Sequence, residues 1–191
     1  MADYMVHETS GARAIRYASL VVAIHWLSAA LILTQIYLGF AFGSFPKGSV
    51  ERTELFTWHK TVGVTILLLA LARLAVRLID APPPYPADFP KWERRVAVWS
   101  HRMLYFLMVA LPLTGLAAVS KGAKGGMTEL VGGIWFPVVP IPALGGLHEP
   151  LAFAMIGLLV IHVLAALKNQ FFSGSAVAGR MPPFRAIEPK A

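Results

Sequence analysis

Five histidines in this 191-residue chain sit within or at the ends of long apolar runs: His25, His59, His101, His148 and His162. A sixth, His7, lies in a polar N-terminal tail and reads as solvated. Ionisable side chains are costly in hydrocarbon, so they face an interior and serve a function there. The chemistry open to imidazole here is metal ligation through a ring nitrogen. The stretch LHEPLAFAMIGLLVIHVLAALKNQFF, residues 147–172, shows the spacing most plainly. His162 follows His148 by 14 residues, which on a helix is nearly four whole turns and about 21 Å of rise. Both rings then leave the same face at different depths.

The elements that carry these rings are membrane spans. The chain is 57% hydrophobic and 14% charged, with a mean hydropathy of +0.62, more apolar than a water-soluble domain requires. Four runs reach the roughly 20 residues that a spanning helix needs. They cover about 20–42, 55–79, 98–119 and 147–171. The absence of regular alternation favours helices over a β-barrel. The first run is too long for a signal-peptide core, holds His25, Trp26 and Gln35, and lacks a clean small-residue cleavage site. The expected fold is therefore all-α, an integral membrane four-helix bundle forming one domain over 1–191. Residues 43–54 read as a short polar turn. The link 80–97 opens with DAPPPYPADFP, which cannot be helical. Residues 120–146 read as a Gly- and Pro-rich link whose GIWFPVVPIP stretch is apolar enough to lie on the membrane surface.

Charge sets the orientation. Only Lys47, Arg52, Lys60, Lys121 and Lys124, five of the 17 Lys and Arg residues, fall on one side. The other twelve fall with the two tails and the second link, so both termini are expected in the cytoplasm by the positive-inside rule. The net charge of +7 reads as this loop bias, with no basic stripe suited to nucleic acid. The chain has no cysteine, which excludes disulfides, thiolate metal sites, iron–sulfur clusters and CxxCH attachment of haem.

With that orientation, depth sorts four histidines into two pairs. His59 opens the second helix and His148 the fourth, both on the outer side. His25 lies in the inner half of the first helix, level with His162. Each pair draws on two helices, so each can grip one object from opposite sides. A haem iron fits, because both its axial positions accept imidazole and helical bundles hold cofactors between facing helices. Gly39 lies 14 residues after His25, Gly115 lies 14 after His101, and Arg73 lies 14 after His59. The glycines would leave room for a flat ring, and Arg73 would meet a propionate of the inner one. Each feature also has a plainer reading. A membrane histidine often bonds a backbone carbonyl, glycine often permits close helix packing, and arginine often snorkels. His101 opens the third helix on the inner side with no partner left at its depth. It ranks as a neighbour of the cofactor, or a propionate-side group, ahead of a ligand.

Four stretches together resemble the prokaryotic cytochrome b561 family and the related cytochrome b subunits of membrane hydrogenases. They are RYASLVVAIHWLSAALIL at 16–33, WHKTVGVTILLLALARLAVRL at 58–78, SHRMLYFLMVALPLTG at 100–115, and LHEPLAFAMIGLLVIHVLAAL at 147–167. The resemblance implies two haem b per chain, one on His25 and His162 and the other on His59 and His148, agreeing with the pairing by depth. It also implies a bacterial inner-membrane, multi-pass protein of electron transport, with quinone as the usual partner and superoxide as the donor in some members.

The leading reading is thus a di-haem b electron carrier passing single electrons from an unidentified donor to a quinone. As an oxidoreductase it would act on quinone or superoxide. Lys60, Lys121 and Lys124 could draw a small anion to the outer haem, though they read first as ordinary solvated loop lysines. The same residues would also suit a haem-bearing anchor subunit of a hydrogenase-like complex, or a homodimer. A reading from another class is a His-lined Zn or Cu transporter. It calls for carboxylates or thioethers beside the histidines, and Glu149 and Met155 are the main candidates.

Overall fold

The computed structural model describes residues 17–79, 85, 89–172 and 180–181, with the backbone of 6–7 and 14–15. Most of the DAPPPYPADFP link, most of both tails and the side chain of His7 lie outside the described residues. Four long helices dominate: α1 Ser19–Ala41, α2 Val50–Ile79, α3 Lys91–Ala118 and α4 His148–Phe171. With the short 3-10 turns that extend three of them, all four are long and apolar enough to cross a membrane. Their surfaces keep large apolar side chains outward, among them Leu33, Tyr37, Phe40, Leu78 and Ile161. Water would penalise such a surface and lipid would not.

Two helices start earlier than hydropathy alone predicts. α2 begins at Val50, so the expected polar turn over 43–54 is shorter by its last five residues. The Ser49 hydroxyl accepts a hydrogen bond from the amide of Arg52 at 3.2 Å, capping the first turn. Glu51 there complements the positive helix end. α3 begins at Lys91, seven residues before its apolar run. The amide of Arg94 donates to the carbonyl of Pro90 at 3.0 Å, and Glu93 supplies the first-turn acid. Glu93 also receives Lys168 of α4 at 2.8 Å. Polar first turns, stabilised by caps and charge, carry both helices beyond the oily core. His59 and His101 consequently lie nine residues or more inside their helices rather than opening them.

The expected all-α class holds for most of the chain but not for the loop before α4. Strands β3 Met127–Glu129 and β4 Trp135–Pro137 form an antiparallel hairpin that pairs Thr128 with Phe136. Gly132 and Gly133 turn between them at φ 78° and 74°, a region closed to most side chains. A second, two-residue pairing joins β1 Val6–His7 to β2 Ala14–Ile15. The 120–146 segment is therefore a folded element. Leu130 packs in a core with Val64 of α2 and Leu116 of α3, flanked by Phe136 and Val139. The Lys60 ammonium donates to the carbonyl of Glu129 at 2.6 Å and to the Thr128 hydroxyl at 3.2 Å. The amide of Val131 donates to the Thr61 hydroxyl at 3.0 Å.

The chain divides into two compact units. One contains Trp26–Ala72 and Tyr105–Ala154, and so includes the hairpin. The other contains Met1–His25, Arg73–Leu104 and Met155–Ala191. In the latter, the Tyr17 amide donates to the Arg180 carbonyl at 3.3 Å, and Tyr85 stacks on Phe89 with ring centres 5.2 Å apart.

Gly145 lies where the chain enters α4. A Cβ built there would fall 2.6 Å from Cα of Ala118, which is backbone and cannot step aside. Gly145→Ala is expected to destabilise the protein by about 1–3 kcal/mol, the usual cost of overpacking. Gly146→Ala, with open space around it, should leave the thermal midpoint in detergent near the parent value. The comparison of the two melting curves checks the point.

Candidate functional site

In the unit that contains the hairpin, α2 supplies His59 and the start of α4 supplies His148. Their ring centres stand 6.1 Å apart, with the rings at 79°. The Nδ1 of His148 lies 2.9 Å from the carbonyl of Leu111 and 3.3 Å from the Thr114 hydroxyl. A carbonyl only accepts, so Nδ1 carries the proton and Nε2 presents its lone pair. Glycine gives this ring its place: a Cβ on Gly115 would come within 3.1 Å of His148 Cε1. Pro112 precedes it in α3 and has no N–H to give the carbonyl one turn back.

His59 has a corresponding seat on α1. A Cβ on Gly39 would stand 3.4 Å from His59 Cε1. One turn earlier, the Gln35 amide nitrogen lies 3.1 Å from His59 Nε2. Gly63 makes room for that amide, since a Cβ there would be 3.2 Å from Gln35 Nε2. The other ring nitrogen, His59 Nδ1, is buried with no hydrogen-bond partner, as is the amide oxygen of Gln35. Each such atom costs about 1–3 kcal/mol. A cluster left in that state is one that a further group would satisfy.

The second unit gathers more polar groups. His25 of α1 and His162 of α4 have ring centres 6.4 Å apart at 53°. Arg73 of α2 places a guanidinium nitrogen 3.1 Å from His25 Nδ1. A guanidinium has donors only, so Nδ1 accepts and the His25 proton sits on Nε2. His101 of α3 joins the cluster with its ring centre 5.4 Å from that of His162, at 79°. This corrects the expectation that His101 opens its helix without a companion; it lies ten residues past the start of α3, against His162.

The expected cationic lure for an anion is altered as well. Lys60 spends its ammonium on the hairpin and lies 5.6 Å from the centre of the Phe56 ring. With Lys124, Glu129 and Trp135 it lines an open cavity of about 500 Å³.

A model of the family described as prokaryotic cytochrome b561 matches residues 16–183. The chain belongs to the prokaryotic cytochrome b561 family. Among curated relatives, cytochrome b561 homolog 1 of Escherichia coli (strain K12) is 27% identical over 173 residues, covering 89% of this chain and 98% of that protein. Cytochrome b561 homolog 2 of the same strain is 29% identical over 175 residues, covering 87% and 90%. Probable superoxide oxidase CybB of Yersinia pestis is 27% identical over 179 residues, covering 88% and 96%. Membership implies haem b and a transmembrane electron-transfer role.

The residues present fit that group. Imidazole nitrogen binds a metal at about 2.0–2.1 Å, which puts the centres of two rings on opposite sides of one ion about 6 Å apart. The two pairs stand at 6.1 and 6.4 Å. Sequence reasoning missed three supports of these rings: Gln35, Thr114 and the Leu111 carbonyl. A glutamine in mid-span was the signal for the first. A carbonyl carries no sequence signal at all.

Gly115→Val forces branched carbons into the space of the His148 ring. The expected outcome is a fall in haem per chain, read by pyridine haemochrome. Gly157→Val on α4, where nothing lies within 4 Å, should retain the parent content.

Proposed function

We propose that this protein is a di-haem b electron-transfer protein of the bacterial inner membrane, carrying single electrons to a quinone. The observation that carries the reading is the pair of imidazole couples, His59 with His148 and His25 with His162, whose ring centres stand 6.1 and 6.4 Å apart, a spacing at which both could hold one ion. The four helices form one membrane domain, a bundle with both termini in the cytoplasm. The bias of twelve Lys and Arg against five supports that orientation.

Haem b supplies one-electron chemistry, its iron alternating between ferric and ferrous. The protein's residues do the rest. Leu111 and Thr114 hold the His148 proton on Nδ1, so Nε2 would be the nitrogen that holds the metal. Gly39 and Gly115 keep space beside the two outer rings. His25 would hold the iron through Nε2, with its proton on Nδ1; Arg73, now 3.1 Å from Nδ1, could then pair with a propionate. Two imidazoles would hold each iron, a ligation that would suit electron transfer rather than oxygen binding.

The donor is superoxide in this reading, supported by the similarity to the probable superoxide oxidase CybB of Yersinia pestis. Lys124 and Lys60 at the open cavity favour approach of a small anion. Two superoxide ions each lose one electron and become dioxygen. The quinone takes those two electrons and two protons to become the quinol.

Purified protein should be red, develop a b-type α-band with dithionite, and contain about two haems per chain. His162→Ala should lose one haem and keep the other; loss of both from a folded variant would contradict separate couples. Superoxide generated enzymatically should reduce a soluble quinone faster with the protein present. No acceleration would remove superoxide as donor while leaving the haem assignment to stand on the haemochrome result.

A further inference from the structure

The two couples are held differently. His148 is fixed by hydrogen bonds from its own ring to α3. Among the described residues, the ring contacts on His162 are instead with two other imidazoles, His25 and His101. The His101 contact is the shorter, 5.4 Å between centres, and nearly perpendicular at 79°. At that distance the pair is too close to stand on opposite sides of one ion, where about 6 Å is needed. The geometry is that of an edge-to-face aromatic pair, which prefers centres about 4.5–7 Å apart.

We infer that His101 is a positioning residue that fixes the plane of the His162 imidazole. The inference rests on the proposal that His162 is an axial ligand. A ligand imidazole can rotate about its metal–nitrogen bond, and its plane decides which iron d orbital its π system meets. The hydrogen-bonded couple restrains that rotation through the Nδ1–H of His148. In the couple of His25 and His162, the ring of His101, 5.4 Å away and nearly perpendicular, would restrain it by packing. Outer groups that orient a ligand in this way tune the metal without touching it.

Low-temperature EPR of the ferric protein tests this, because the g values of a low-spin bis-imidazole haem follow the ligand planes. The signal that disappears in His162→Ala identifies the haem concerned. His101→Ala is expected to retain both haems and to shift or broaden the largest g value of that signal alone. His101→Phe, which keeps a flat ring but no nitrogen, should return the signal toward its original position. An unchanged signal in His101→Ala overturns the inference. So does an equal shift in His101→Phe, or loss of the haem in both variants. If His162→Ala retains the full haem content, the ligand assignment fails, and the positioning role falls with it.

Discussion

The structure depends on the cost of leaving imidazole unsatisfied where there is no water. Hydrocarbon offers neither donor nor acceptor, so each ring nitrogen in a span must find a protein group or a metal. The five span histidines answer that demand in a limited set of ways. His148 gives its proton to a helix carbonyl. His25 takes a donor from Arg73. His59 keeps one nitrogen on Gln35 and leaves the other buried without a partner. The orphan nitrogen of His59 and the orphan amide oxygen of Gln35 beside it leave a polar demand that a further group would satisfy.

Small residues and caps serve that demand. Gly63 and Gly115 stand where a methyl group would press on the Gln35 amide or on the His148 imidazole, and one on Gly39 would touch the His59 ring. Their use is therefore local to the rings, beyond any general easing of helix packing. Ser49 and the first-turn acids extend α2 and α3 into the polar zone. As a result His59 and His101 sit well inside regular helix, where the backbone holds their side chains in a set direction. Rigid elements place side chains more precisely than loops do.

The hairpin adds a second kind of constraint. Lys60 and Thr61 immediately follow His59, and both bond to the strand that begins at Met127 or to the turn after it. The turn of α2 that bears His59 is thus tied to a folded cap, with Leu130 sealed against Val64 and Leu116. An ammonium engaged in this way acts first as a clasp. Its contribution to the potential seen by an approaching anion comes second.

The spans, the 14-residue interval on α4 and the grouping of four histidines into two couples were legible from residue types alone. Hydropathy reports length, and helical pitch converts interval into depth and direction. Helix starts were less legible, because capping and first-turn charge extend α2 and α3 through polar residues that hydropathy reads as loop. The hairpin was illegible for a different reason: its core joins Leu130 to residues more than a dozen positions away on two helices. The place of His101 belongs to the same class. Its sequence neighbours put it near a helix start with no companion, whereas packing of α3 against α4 sets its ring across His162. Local spacing determines where along a helix a side chain emerges. Only the meeting of helices decides what that side chain touches, because rotation and approach of one helix on another depend on every residue in the contact.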